Sequence, residues 1–337
     1  MKFALKKSVA RSGLVVLLSA RTLATVPGVV HADALAQSVF AVTDFKFGFN
    51  AANVFITAAN PPAANASATF AGVAATPANG PGFQSIAVAG PNPLAYNPNT
   101  KITSLVIPAA NYSGGFASQS GDATTAAGAA ALTNATVSLV PQGLPPNSSS
   151  GANLVSSEFR VTVAGGSQIV SVNFNADLFL RSFLTSGSGI YQGGSTQAKS
   201  VWALSIFQEV GSSFDEIATW TPATAANGGF LCTAATGITG CTASSAFRLN
   251  NEILAFNNNE NRQFRNGVTN LALPAGAPGA FAAGFTLASG NYRFAITHDS
   301  QASARIAVPE PGTLALVGLS LVGLAAVGRR RATRQAA

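Results

Sequence analysis

Histidine, cysteine and charge are all scarce in this chain. Of two histidines and two cysteines in 337 residues, His31 falls in the leader and no histidine lies near the cysteine pair, so the ligands of a zinc centre are lacking. Only 9% of residues are charged, against 47% hydrophobic and 22 phenylalanines, which excludes a charge-solvated disordered chain and supplies material for a core. Long amphipathic helical patterns are missing. So are phosphate-binding glycine motifs, a dinucleotide fingerprint and any repeat of fixed period. Neither a cofactor nor a metal is expected.

A basic stripe is absent too, despite a formal charge of +7 and a pI near 9.9. Nine of the nineteen positive charges sit at the ends: Lys2, Lys6, Lys7, Arg11 and Arg21, then Arg329, Arg330, Arg331 and Arg334. With Asp33 and Glu310 also set aside, the body keeps ten charges of each sign. Nothing there collects phosphates, and no nucleic-acid partner is expected.

The ends carry the strongest signals. Lys2, Lys6, Lys7 and Arg11 precede an apolar run at 13–20, interrupted by Arg21 and resumed at 23–30. This is the pattern of a secretory signal peptide, assigned to residues 1–36, and it makes the secretion machinery a partner. Cleavage is open to two places with suitably small residues, after Val30-His31-Ala32 and after Ala34-Leu35-Ala36. At the other end, Val308-Pro309-Glu310-Pro311 precedes an uncharged apolar run, 312–328, that ends against Arg329-Arg330-Arg331. The prolines disfavour helix upstream, the run is fit to cross the inner membrane as a helix, and the arginines hold its far end in the cytoplasm.

Motif, apolar run and arginines, in that order across 308–334, resemble the PEP-CTERM sorting domain of Gram-negative bacteria. The resemblance implies recognition by an exosortase, a membrane-embedded cysteine transpeptidase that cuts near Pro-Glu-Pro. It also implies passage to the cell surface of a bacterium that makes exopolysaccharide. It covers less than a tenth of the chain and leaves the body, 37–307, without an assigned activity.

In that body, alternation points to strands. Val170, Val172, Phe174, Ala176, Leu178 and Leu180 alternate with Ser171, Asn173, Asn175, Asp177 and Arg181, which predicts one buried and one solvated face. Phe159, Val161 and Val163 alternate just upstream, and Gly165-Gly166 predicts a hairpin turn between the two runs. Phe45, Phe47 and Phe49 form another aromatic face. Tyr292, Phe294 and Ile296 make a late strand, with a short one at 304–308; 201–210 is ambiguous. Many short strands between Gly, Pro and Asn turns favour a mainly β ectodomain, an antiparallel β-sandwich with a jelly-roll as one form. Residues 60–152 are heavily punctuated by proline, with short strands expected between, such as 102–107 and 135–140, and a boundary near 145–151 with a separate lobe is one reading of them.

Cys232 and Cys241 have eight residues between them in a turn-rich stretch, which in an exported chain reads as one disulfide. Loop closure makes such a bridge worth about 2.5–3 kcal/mol. Candidate chemistry is thin. His298 is the sole histidine outside the leader, beside Asp299 and Ser300, and reads as a strand-capping or surface residue, since neighbouring strand residues face opposite ways. Glu209, Asp215 and Glu216 offer carboxylates for glycoside chemistry but read as solvated loop charges. The run 257–261, Asn-Asn-Asn-Glu-Asn, lacks the spacing of a calcium loop. Trp202 reads as core, whereas Trp220, between Thr219 and Thr221, is the candidate glycan contact. The expectation is a non-enzymatic surface or matrix protein associated with exopolysaccharide. The alternatives are a carbohydrate-binding module and, last, an unrecognised hydrolase.

Overall fold

The computed structural model describes residues 33–75, 78–79, 84–90, 97–104, 111–140, 148–185, 194–223, 229–232, 237–256, 260–269, 277–306, 318–320 and 322–323. Alternating apolar residues put nearly all of them into strands, and every described pairing is antiparallel. One sheet has ten strands, ordered β13 (Ile238–Ser245), β17 (Gly279–Leu287), β9 (Gln168–Leu184), β1 (Ala34–Gly48), β7 (Gly128–Leu139), β6 (Tyr112–Asp122), β5 (Gln84–Ala89) and β4 (Ala78–Asn79). On the far half of β9 the place of β17 is taken by β15 (Glu260–Arg265), which carries β16 (Val268–Thr269). The second sheet has eight strands, ordered β12 (Phe230–Cys232), β11 (Ser213–Trp220), β10 (Gly194–Val210), β18 (Gly290–Ile306), β8 (Ser148–Val163), β2 (Val54–Phe70) and β3 (Val73–Ala74), with β14 (Asn251–Phe256) also on β10.

The sheets face each other: β1 lies against β18 and β10, β9 against β10, and β6 against β2. The predicted inner face of β9 is as expected, with Val170, Val172, Phe174, Ala176, Leu178 and Leu180 all buried. Trp202, Leu204 and Ile206 of β10 and Phe294 of β18 meet it from the other sheet. In β1 the inward parity changes midway. A bulge at Thr43–Asp44, with Asp44 at φ 54°, lets Phe40 and Val42 and then Phe45 and Phe47 all face the core.

Four local expectations are corrected. Gly165 and Gly166 do adopt positive φ, but β8 and β9 belong to different sheets, so the turn is a crossover and not a hairpin. The expected strands at 290–297 and 304–308 are one, β18, which runs unbroken to Ile306. The expected break at 145–151 is not where the sheets divide: residues 148–151 lie inside β8, and β2 and β5–β7 fill out both sheets. Of the expected strand at 102–107, residues 102–104 are not in a strand. Instead, residues 97–104 lie across the outer face of the ten-stranded sheet. Gln37 donates to the Thr100 carbonyl and accepts from the Ile102 N–H, Asn134 donates to the Pro98 carbonyl, and Lys101 pairs with Asp177.

That strap also accounts for Arg181, expected in solvent but fully buried. Its Nη1 donates to the carbonyls of Ile102 and Ser104, both at 2.6 Å, and the guanidinium lies 5.2 Å from the Phe183 ring. Burial pulls its pKa down to about 10.

Candidate functional site

The sorting segment joins the domain without a spacer. β18 ends at Ile306, which is buried opposite Gly194 and packs in a small cluster with Ala34, Ala36 and Leu184. The first residue of β1 and the last of β18 therefore share one pole. Val308, Pro309, Glu310, Pro311 and the basic residues Arg329, Arg330 and Arg331 lie outside the described residues. So does most of the expected membrane span 312–328, of which 318–320 and 322–323 are helical. Among the described residues no helix is long and apolar enough to cross a membrane. The signal peptide lies outside them up to residue 32.

Trp220 is a correction. It is fully buried, 5.2 Å from Trp202 and 5.8 Å from Phe174 between ring centroids, so it has no free face for a sugar. The reason lies in its pairing: Trp220 sits opposite Leu204 and Ala218 opposite Ile206, which continues the inward alternation of β10 into β11. Trp202 is core, as expected.

His298 is also a correction, being buried in mid-strand and not at a strand end or surface. Its Nε2 lies 3.1 Å from Thr133 Oγ1, which in turn is 2.7 Å from Ser300 Oγ, and its ring meets Phe40 edge-on at 4.1 Å. Burial holds the imidazole pKa down to about 3, against a smaller upward pull from the Phe40 backbone. Nδ1 has no hydrogen-bond partner among the described residues. The cavity beside His298, lined also by Trp202, Phe45, Ser157 and Gln119, has a volume of about 30 Å³, the scale of a water molecule and not of a substrate. Asp299 points the other way and accepts from Gln301, so no Ser-His-Asp relay forms here.

Glu209, Asp215 and Glu216 lie on the exposed end of the β10–β11 hairpin, and no described cavity is lined by them. Residues 257–259 of the Asn-rich run lie outside the described residues; of its last two, Glu260 accepts from the Phe256 N–H and pairs with Leu184, and Asn261 pairs with Phe183, at the start of β15. No group of three potential metal ligands occurs among the described residues. The Cys232 side chain lies outside them, and Cys241 packs at the margin of the main core.

The feature missed from the sequence is a row across the outer face of the eight-stranded sheet. Arg293 of β18 stands between Phe207 of β10 and Phe214 of β11, its Cζ 4.5 and 5.0 Å from the two ring centroids. Its Nη1 lies 3.9 Å from Glu158 of β8, whose other oxygen accepts from Asn60 of β2 at 2.9 Å. Five neighbouring strands thus contribute one residue each to an aromatic–cation–carboxylate–amide line. Phe214 is 40% exposed, and Arg293 and Glu158 about a third.

Comparison with known proteins fits this division between an informative tail and a reticent body. No curated protein and no solved structure matches the chain. Residues 307–331 match the family model of the PEP-CTERM protein-sorting motif, so the chain carries, from the residue after its last strand, the signal for exosortase-dependent export through a membrane-anchored intermediate to the cell surface.

Proposed function

We propose that the protein is a non-enzymatic component of the cell surface or extracellular matrix, released from its tail by an exosortase and associated with exopolysaccharide. The observation that carries this reading is the sorting motif at 307–331, abutting a folded strand. The body adds support through two antiparallel sheets in face-to-face packing, a β-sandwich, in which buried serine and asparagine side chains bond from sheet to sheet. Its strand order, with β4 to β7 adjacent in sequence and in space, departs from a jelly-roll. A Cys232–Cys241 bridge belongs to the same reading: it would tie β12, at the edge of one sheet, to β13, at the edge of the other. Replacing Glu310 with alanine tests the motif. The variant is expected to stay in the inner membrane with its tail attached, while the parent chain reaches the surface. Equal surface delivery of both would contradict the reading.

The second reading, carbohydrate binding, rests on the Phe207–Arg293–Phe214 row, where aromatic edges, an amide and a carboxylate face solvent together. Phe214→Ala combined with Glu158→Ala is expected to cut retention on cell-derived polysaccharide at least tenfold without unfolding the domain. Unchanged retention would remove this reading.

A further inference from the structure

The leader has two positions that satisfy the small-residue requirement, after Ala32 and after Ala36. The fold treats them very differently. Ala34, Leu35 and Ala36 are completely buried at the start of β1, the strand between β7 and β9. They are paired on both flanks: Ala34 with Leu139 and Leu184, Leu35 with Ser138 and Phe183, Ala36 with Val137 and Ser182. Asp33, one residue earlier, is bonded to the same sheet. The Asp33 N–H donates to Thr185 Oγ1 at 2.6 Å, and its carbonyl accepts from the Thr185 N–H at 2.9 Å.

We propose that the leader is hydrolysed between Ala32 and Asp33, with Val30 and Ala32 in the small-residue positions, so that the mature chain begins at Asp33. Water adds across that amide, leaving a carboxylate on Ala32 and an α-amine on Asp33. The new amine keeps a donor for Thr185 Oγ1. A cut after Ala36 would instead strip the opening of a central strand. It would leave backbone donors and acceptors of β7 and β9 without partners and open a hole in the alanine cluster where β1 begins and β18 ends.

The proposal rests on the export reading, and the test separates the two. The N-terminal peptide of the protein recovered from its exporting host is identified by mass. A chain beginning at Asp33 is the expected result. A chain beginning at Gln37 overturns the assigned site while leaving export intact. A chain retaining Met1 overturns the leader itself and the proposal with it. As an independent check, domains produced with Asp33 and with Gln37 as first residue are compared by denaturant unfolding. The shorter is expected to unfold at a clearly lower midpoint or fail to fold, and equal midpoints would contradict the argument.

Discussion

The two halves of the sheet interface are built from different chemistry. In one, large aromatics set the spacing: Phe174 meets Trp202 at 4.8 Å, and Phe47 meets Phe159 at 4.9 Å and Phe294 at 5.7 Å. In the other, toward the shared pole, alanines replace aromatics and hydrogen bonds cross from sheet to sheet. Ser38 donates to the Lys199 carbonyl and Ser182 to that of Thr196, both at 2.8 Å; Asn153 donates to the Asn134 carbonyl, and Thr133 joins His298 and Ser300. Backbones close in where glycine allows it. A methyl group on Gly115 would sit 2.3 Å from Asn153 Oδ1 and 2.6 Å from the Ser67 carbonyl oxygen. The aromatic half is held by apolar area removed from water. The small-residue half buries less apolar volume per residue and depends on matched polar partners and close approach. The contrast explains how a chain with so many Ala, Ser, Thr and Gly residues folds with so few charges.

Each half has its own point of failure. The largest effect is expected in the aromatic half, where Trp202→Ala removes the ring that Phe174 and Trp220 pack against and should cost about 3–5 kcal/mol by denaturant unfolding. Next, Gly115→Val should cost about 1–3 kcal/mol, since the obstructing atoms are a backbone carbonyl and a buried amide with little room to move. A loss below 0.5 kcal/mol would show that the small-residue half is looser than described.

A third effect is one of pH. Because the folded-state pKa of His298 is held down to about 3, below its ordinary 6.5, the unfolded chain binds the extra proton between these values. The stability from this site is full above pH 6.5 and is lost as pH falls towards 3. Asp299, whose pKa burial raises, acts in the opposite sense, so the comparison must be with His298→Gln, in which Asp299 is retained. The difference in stability between parent and variant should shrink as pH falls from 6.5; a difference flat with pH would place the imidazole in water.

Much of the fold was legible because alternation is local. The inner faces of β8, β9 and the start of β18 follow directly from apolar residues two apart. What was not legible depends on partners distant in sequence. Gly165-Gly166 announces a turn but not which sheet the next strand joins. Arg181 keeps strand parity with exposed Asn173, and only the strap from residues 97–104 buries it. Trp220 sits among threonines before a proline, a context that reads as exposed, yet its pairing with Leu204 turns it inward. The Phe207–Arg293–Phe214 row sets Arg293 against a hairpin pair 79 and 86 residues earlier in sequence, so no local pattern announces it. The tail is the reverse case. Motif, apolar run and arginines are contiguous, and their order alone identifies them.

The central claim is that sorting is carried by the tail, with the two-sheet domain as its cargo. The most direct measurement is the mass of the C-terminal peptide and the location of the protein in two matched hosts, one with an exosortase and one with it deleted. The account predicts a chain shortened near Pro309–Pro311 and delivered to the surface only in the first host. It predicts an intact, membrane-retained chain in the second. An intact tail held in the inner membrane in both would contradict it and make residues 312–328 an ordinary anchor.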